Sequence, residues 1–582
     1  MTTNALKDFN PDVVLALYTS KNYDLLCRSL YGVLKHFHEV CYTSFSTEDL
    51  KRVNTFVETT LYILGREDFK FPDNWGPLFI NIGHLMSNLI VISSHKSADG
   101  FIRALLNQTN NYLKLLFLYN CRSQVDIPAK TLIDPNPTLA TLWWNNFSVA
   151  PPGSNSKQLH EKVVSHFKKF PDNLYLPDYR TQPTYFQSSY YDIDERPIKE
   201  WCNKQVRRFT SKVVIKNRPK KGRIAIITDK WAPITAVYKS IFPQLENLAK
   251  HFDLTLVHTD KADVSSLDTS IFRRKFEVHI GLDKVDLSAI ANNDFQLAYF
   301  PDVGMTDDSV FLANTKIAPI MVCGYGHPVS TYGSLVDYFI GGVDTELADK
   351  YAENYSERLV LIPGLGAHPV DPKYTRKYPA QTEKIYVNCC WTTSKINWPM
   401  LRMLREVQKQ NPQVHYQFFP SWTSTRYNNG PIISQELGEL FNGNVSIYPN
   451  LSYHEYLEKM ELAAFSVDSY PFGGYNTIVD SFFVGCPVVT IEGTKFYNRA
   501  STALARRVGV DLSVGSIYDC SVRMQQLVQN PNYLEVCRQQ LPDADQLRKQ
   551  LIYTDEPQHF TRAIQHILAN HPIEGNEPIL IQ

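Results

Sequence analysis

The 582-residue chain has no apolar run long enough to cross a bilayer, so no integral membrane association is expected. Its first residues, Met1-Thr2-Thr3-Asn4-Ala5-Leu6-Lys7-Asp8, lack the basic-then-apolar pattern of an export signal. Net charge is absent too, since 59 Lys and Arg balance 59 Asp and Glu. A neutral chain feels no global pull toward polyanions, and no nucleic acid is expected as a partner. Cysteine is sparse: Cys27, Cys41, Cys121, Cys202, Cys323, Cys389, Cys390, Cys486, Cys520 and Cys537. They form no CxxC pair and no Cys/His ligand spacing, which argues against a structural zinc site. Buried free thiols in a reducing compartment remain, and a cytoplasmic location is the expectation. Neither GxGxxG nor GxxxxGK[ST] occurs, so the common phosphate loops are missing. No fixed-period repeat is visible.

What is present is an ordinary globular composition, 43% hydrophobic, 20% charged and 12% aromatic, in a chain too long for one core. Apolar residues recur at helical spacing in Val13, Val14, Leu17, in Leu26, Leu30, Val33, Leu34, and in Leu78, Ile82, Leu85, Leu89, Ile92. Residues 1–124 therefore read as an α-helical N-terminal domain. Residues 125–220, rich in Pro and Tyr, read as an irregular connector wrapped on a folded surface. The basic run from Lys204 to Arg223 in it reads as a solvated helix end and linker. From Arg223 the pattern changes to short apolar runs alternating with helical stretches. Strands are expected at 224–227, 254–257, 296–300 and 317–322, with a helix over 235–251 and a helical stretch after 257. The series restarts with strands at 385–387, 414–418, 464–467 and 487–491, and helices at 399–408 and after Asn476. The fold class is α/β: two Rossmann-like, doubly wound lobes, 221–370 and 371–582, joined near 363–379. Helices from Asp543 and over 556–570 close the chain.

Three segments carry chemistry. Val467-Asp468-Ser469-Tyr470-Pro471-Phe472-Gly473-Gly474-Tyr475-Asn476 runs from a strand end through a Pro/Gly loop into a helix. A helix start offers free N–H donors and a positive dipole end to a diphosphate, and Gly474 lets backbone approach it. Asn476 and Asp480, four apart, share a helical face, the amide suited to phosphate and the carboxylate to ribose hydroxyls. The same spacing equally describes an N-capping Asn with a surface Asp. Cys390-Trp391-Thr392-Thr393-Ser394-Lys395 follows a strand, so Thr393 and Lys395 are candidates to face a leaving diphosphate; a solvated loop lysine is the alternative. Gly324-Tyr325-Gly326-His327-Pro328 places a glycine-flanked histidine at the mouth of the first lobe, to touch donor or acceptor, or to fix a tight turn. The two DxD patterns, Asp192-Ile193-Asp194 and Asp543-Ala544-Asp545, follow no sheet strand, and no metal is expected.

The run DSYPFGGYNTIVDSFFVGCPVVT followed by EGTKFYNRASTALARRVGV resembles the C-terminal lobe of the O-GlcNAc transferase family. It is more similar still to bacterial cytoplasmic N-glucosyltransferases of high-molecular-weight adhesins. ANTKIAPIMVCGYGHPVSTYGSLVDY, TTSKIN, YPNLSYHEYL and SYYDIDERPIKEWCNKQVRR support the likeness, which covers most of the chain. It implies a GT-B fold behind an all-α N-terminal domain, with a UDP-hexose as co-substrate, no other cofactor and no metal. On it, Lys395 and Asn476 match diphosphate contacts, Asp480 a ribose-binding aspartate, and Gly326 with His327 the glycine-histidine loop. Two positions depart. Thr235, in the loop from Asp229 to Lys239, stands where the family has a proposed catalytic histidine, and Trp422 replaces a donor-side glutamine. A threonine is no base near neutral pH, which leaves Asp229 the base candidate of that loop, with His327 the other catalytic candidate. The expected activity is hexose transfer, glucose foremost, from a UDP-sugar to asparagine side chains of an adhesin-like protein. The alternatives are an elongating transferase acting on a glycoprotein and a GT-B binding protein that has lost the reaction.

Overall fold

Pro137 and Pro183, read as part of an irregular connector, turn out to start helices, as does Pro197. Pro137, Pro183 and Pro197 each occupy the first turn of a helix, Pro137–Asn146, Gln182–Gln187 and Arg196–Thr210. There a missing N–H costs nothing and the fixed φ is already helical. The stretch expected to be irregular is therefore largely helical, with further helices at Ala129–Ile133 and Lys157–Lys168. The computed structural model describes residues 6–40, 42, 44–108, 111–147, 155–168, 175–377, 383–420 and 430–582.

The chain divides into two compact units. One comprises Met1–Pro177, Trp391–Gln408 and His415–Ser452. Its N-terminal part is helical as expected, with Leu26, Leu30, Val33 and Leu34 of helix Tyr23–Glu39 buried on one face. A reciprocal cap between Ser46 and Asp49 starts the helix Thr47–Leu64. Helix Gly430–Leu440 belongs to the same unit, where Glu436 meets Arg122 at 3.8 Å.

The other unit comprises Asp178–Cys390, Lys409–Val414 and Tyr453–Gln582. Its main sheet is built from β1 (Arg223–Ile227), β2 (Asp253–Thr259), β3 (Arg274–Ile280), β4 (Val285–Asp286), β5 (Leu297–Phe300), β6 (Ile320–Cys323), β7 (Tyr338–Gly342) and β8 (Arg358–Ile362). The second series comprises β9 (Ile385–Cys389), β10 (Val414–Phe418), β11 (Val445–Ile447), β12 (Phe465–Val467) and β13 (Val488–Val489). A last strand, β14 (Ile579–Leu580), returns to the main sheet, whose order is β14-β8-β7-β6-β5-β1-β2-β3-β4. Every pairing in it is parallel except β3 with β4. The helical stretch expected after residue 257 instead carries the strands β3 and β4 and one short helix, Ser288–Ala291, and in β3 the alternating Arg274, Lys275, Phe276, Glu277 and Val278 wet one face.

In the second series β9 pairs with β12, and β12 with β13, all parallel; β10 pairs with β11 in the same sense. Four helices matter below: α1 (Ala236–Ala249), α2 (Tyr453–Glu461), α3 (Asn476–Phe483) and α4 (Glu556–Asn570). Grouped by sequence with the second lobe, α4 instead completes the core of the first. Phe560, Ala563, Ile564 and Ile567 pack among Ile224, Leu256, Tyr299 and Val360. No helix among the described residues is long and apolar enough to cross a membrane.

Candidate functional site

In a parallel sheet, loops leaving the strand ends diverge where strand order reverses, and ligands settle there. In the main sheet that reversal falls at β1, between β5 and β2. The loops after β1 and β5 supply Asp229 and Asp302. Asp229 accepts from the Thr259 backbone N–H at 2.6 Å and from its hydroxyl at 2.8 Å, tying the end of β1 to that of β2. Asp302 is buried, accepts from Thr228 Oγ1 at 3.0 Å, and leaves Oδ1 without a partner. Burial, reinforced by the neighbouring charge of Asp229, pushes its carboxyl up to about 7. Sequence reasoning missed Asp302, although Pro301-Asp302 directly follows a strand.

Gly326 and His327 lie against the same β5 loop. A Cβ on Gly326 would collide with the Pro301 carbonyl, so only glycine fits. His327 is buried and its Nδ1 pairs with the Val303 carbonyl at 3.0 Å, leaving Nε2 an unpartnered acceptor. Burial, then the nearby Lys199 charge, lowers it to about 3, so the ring is neutral and a weak base. It stacks on Phe186 at 5.1 Å and lies parallel to Phe472, from the loop before α3, at 6.3 Å.

That loop follows β12. Asp468 Oδ1 accepts from the N–H groups of Ser469 and Gly474 at 2.8 and 2.7 Å, folding the loop onto its own carboxylate. A Cβ at Gly474 would strike Thr477 and crowd Asp468, so this glycine is required by the loop's own packing, and its N–H is already committed. Tyr475 is the N-cap of α3 and Asn476 its first helical residue, so Asn476 does not cap. The Asn476 side chain instead reaches Ser240 Oγ on α1 at 3.4 Å, with Oδ1 buried and unpartnered. Asp480 is not a surface residue either: it is 4% exposed and accepts from the Tyr453 hydroxyl of α2 at 2.6 Å. Burial outweighs that bond and the nearby Lys239, and the carboxyl is raised to about 7.

Asn476 and Asp480 thus face α1 together with residues the sequence did not point to. Lys239 Nζ stands 5.5 Å above the Tyr453 ring. His368 donates its backbone N–H to the Ser240 carbonyl at 2.9 Å, and its Nδ1 is buried without a partner. Thr393 and Lys395 lie in the other compact unit, on the 3-10 turn Thr393–Lys395, with Thr393 buried. Thr235 is the N-cap of α1: its hydroxyl accepts from the Tyr238 N–H at 3.2 Å and donates to the Lys230 carbonyl at 2.5 Å. Trp422 falls outside the described residues. Of the DxD patterns, Asp543 caps a short helix through the Gln546 N–H at 2.8 Å, and Asp194 accepts from the Arg196 N–H at 3.1 Å.

No family model matches the chain. Over 239 residues it is 26% identical to the UDP-glucose:protein N-beta-glucosyltransferase of Actinobacillus pleuropneumoniae serotype 5b (strain L20), and 25% identical to that of serotype 7 (strain AP76). Each match covers 38% of this chain and 36% of the relative, so the chain spans little more than a third of the length of the curated relatives it matches. A mutant of the Thermobaculum terrenum O-GlcNAc transferase superposes with a TM-score of 0.55 over 97% of both chains, at 12% identity. The fold is GT-B. The likeness read from the sequence is borne out at both levels, by these relatives and by the superposition.

Proposed function

We propose that the chain is a UDP-sugar-dependent hexosyltransferase that moves glucose to a protein, onto asparagine side chains of an adhesin-like substrate. The observation that carries this reading is the start of α3. There Asn476 and the buried Asp480 share a face beside a helix N-terminus. The relatives' names supply the donor and the acceptor class.

In the reaction the bond from the anomeric carbon to the diphosphate oxygen breaks, its electron pair leaving with UDP. A bond forms from the asparagine nitrogen to that carbon, and the nitrogen loses a proton. Charge grows on the departing diphosphate. The first N–H groups of α3 and the Asn476 amide are the proposed receivers of that charge, and Lys395 and Thr393 are proposed diphosphate contacts read from the sequence alone. Asp480 accepts from the ribose hydroxyls. His327, neutral with a free Nε2, accepts a hydrogen bond from sugar or acceptor rather than storing the proton. The proton goes to Asp229, the carboxylate at the start of the altered loop and its base candidate. No metal takes part in this scheme. The nine described cysteines are all free, which supports a cytoplasmic location.

The hydroxyl of Thr235 is spent on capping, and that favours two further readings: elongation of a sugar already on protein, or binding without transfer. Mass spectrometry decides among them. The chain is incubated with a panel of UDP-hexoses and either a bare Asn-X-Ser/Thr peptide or its glucosylated form. Addition of one hexose to the bare peptide from UDP-glucose is expected. Addition only to the glucosylated peptide would establish elongation, and UDP-glucose binding with no product would establish the binding protein.

A further inference from the structure

Lys239 is half-buried on α1 and, among the described residues, its ammonium makes no direct ion pair or hydrogen bond, although its charge acts on the buried Asp480. Its one placed contact is the face of Tyr453, and the hydroxyl of that ring is held by Asp480. A half-buried ammonium that is not directly paired with a carboxylate is available to a further anion. Asp480 is the carboxylate on which that charge acts, and it accepts from the Tyr453 hydroxyl rather than pairing directly with Lys239. Next to Lys239 on α1, Ser240 anchors two groups that also lack partners. Asn476 reaches its hydroxyl while leaving Oδ1 bare, and His368 binds its carbonyl while leaving Nδ1 bare in a residue only 7% exposed. A cation with no direct ion pair and, through the neighbouring Ser240, the Asn476 side chain at the start of α3 describe a place that an anion with several oxygens completes.

We infer that Lys239 is a further donor-binding residue, by which α1 supplies a cation to the diphosphate of the bound nucleotide sugar. This rests on the proposed function, because it takes α3 as the donor site. It adds that the first lobe grips the donor as well as the second. Thr235 and Lys239 are one helical turn apart, so the loop that lost the family histidine still bears a charged side chain directed at α3. The Lys239 ammonium stands 5.5 Å above the Tyr453 ring; with donor bound it turns to phosphate oxygens while Asp480 exchanges the tyrosine hydroxyl for ribose.

The test is calorimetric titration of the full chain with UDP and, separately, with uridine, for the native protein, Lys239→Met and Lys239→Arg. Methionine keeps the stem and its packing on Tyr453 but removes the charge; arginine restores a cation. Removing a charge-assisted hydrogen bond is expected to weaken UDP roughly tenfold or more in Lys239→Met. Uridine should stay within about twofold, and Lys239→Arg should recover most of the UDP affinity. Unchanged UDP affinity in Lys239→Met, or equal losses for UDP and uridine, would overturn the inference while leaving the donor site standing. Failure of the native protein to bind UDP would remove both.

Discussion

Asp480 holds its proton unusually long because burial strips water from the carboxylate, and the Tyr453 hydroxyl restores only part of that solvation. Ribose hydroxyls donate hydrogen bonds, so they favour the ionised form. With the free carboxyl near 7, donor affinity should fall as pH drops below neutrality, approaching tenfold per pH unit well below it. Titrating UDP-glucose, whose diphosphate has no group ionising in this range, from pH 5.5 to 8.5 should show that slope, and Asp480→Asn should bind weakly with a flat profile. Asp302 makes a stability statement of opposite use. Its folded value near 7 lies above the unfolded value of about 3.9, so the folded state holds the extra proton between them and stability declines as pH rises through that window. Asp302→Asn, which can still accept from Thr228, should therefore gain more over the native protein at pH 8 than at pH 5, on the order of 1–3 kcal/mol in urea unfolding. The pairing of Asn476 with Asp480 was legible because four residues of helix put both on one face. The groups around them were not, because Lys239, Ser240, His368 and Tyr453 are scattered over 215 positions of sequence and meet only through tertiary packing.

Element boundaries followed local chemistry where one signal dominated. Thr235, expected inside the helix, is its N-cap, and α1 continues through Pro243 to Ala249. Thr235→Ala should cost about 1 kcal/mol in thermal or urea unfolding, whereas Thr235→Ser should cost much less, because only the hydroxyl is needed. Equal losses would mean that the methyl packing, not the cap, matters. Buried strands β1, β2 and β5 read directly from their apolar runs, and β8, Arg358–Ile362, carries the same signature and was open to the same rule. Strand β3 hid behind its charges, since only one of its faces is buried, and β7 behind Gly341 and Gly342. The prolines at 137 and 183 show the converse error: at a helix's first turn, proline initiates rather than interrupts.

At the scale of the molecule, the last residues close the first lobe rather than extend the second. Helix α4 covers the sheet with Phe560, Ala563, Ile564 and Ile567, and β14 pairs with the edge of β8. Nothing local in sequence announces such a return, because an amphipathic helix states which face is apolar but not which core receives it. Deleting residues 556–582 should leave the main sheet uncovered and the protein aggregated or unfolded. A soluble truncated protein with native circular dichroism would refute that. The GT-B architecture itself was legible from two series of alternating strands and helices, and from the spacing of the loop before α3. What holds a donor in it is most directly tested by calorimetric titration with UDP-glucose of the native chain, Asn476→Ala and Asp480→Asn at pH 7.5. Saturable one-site binding, weakened roughly tenfold to a hundredfold by either substitution, is expected. Native binding left intact in both variants, or no binding at all, would contradict a donor site at the start of α3.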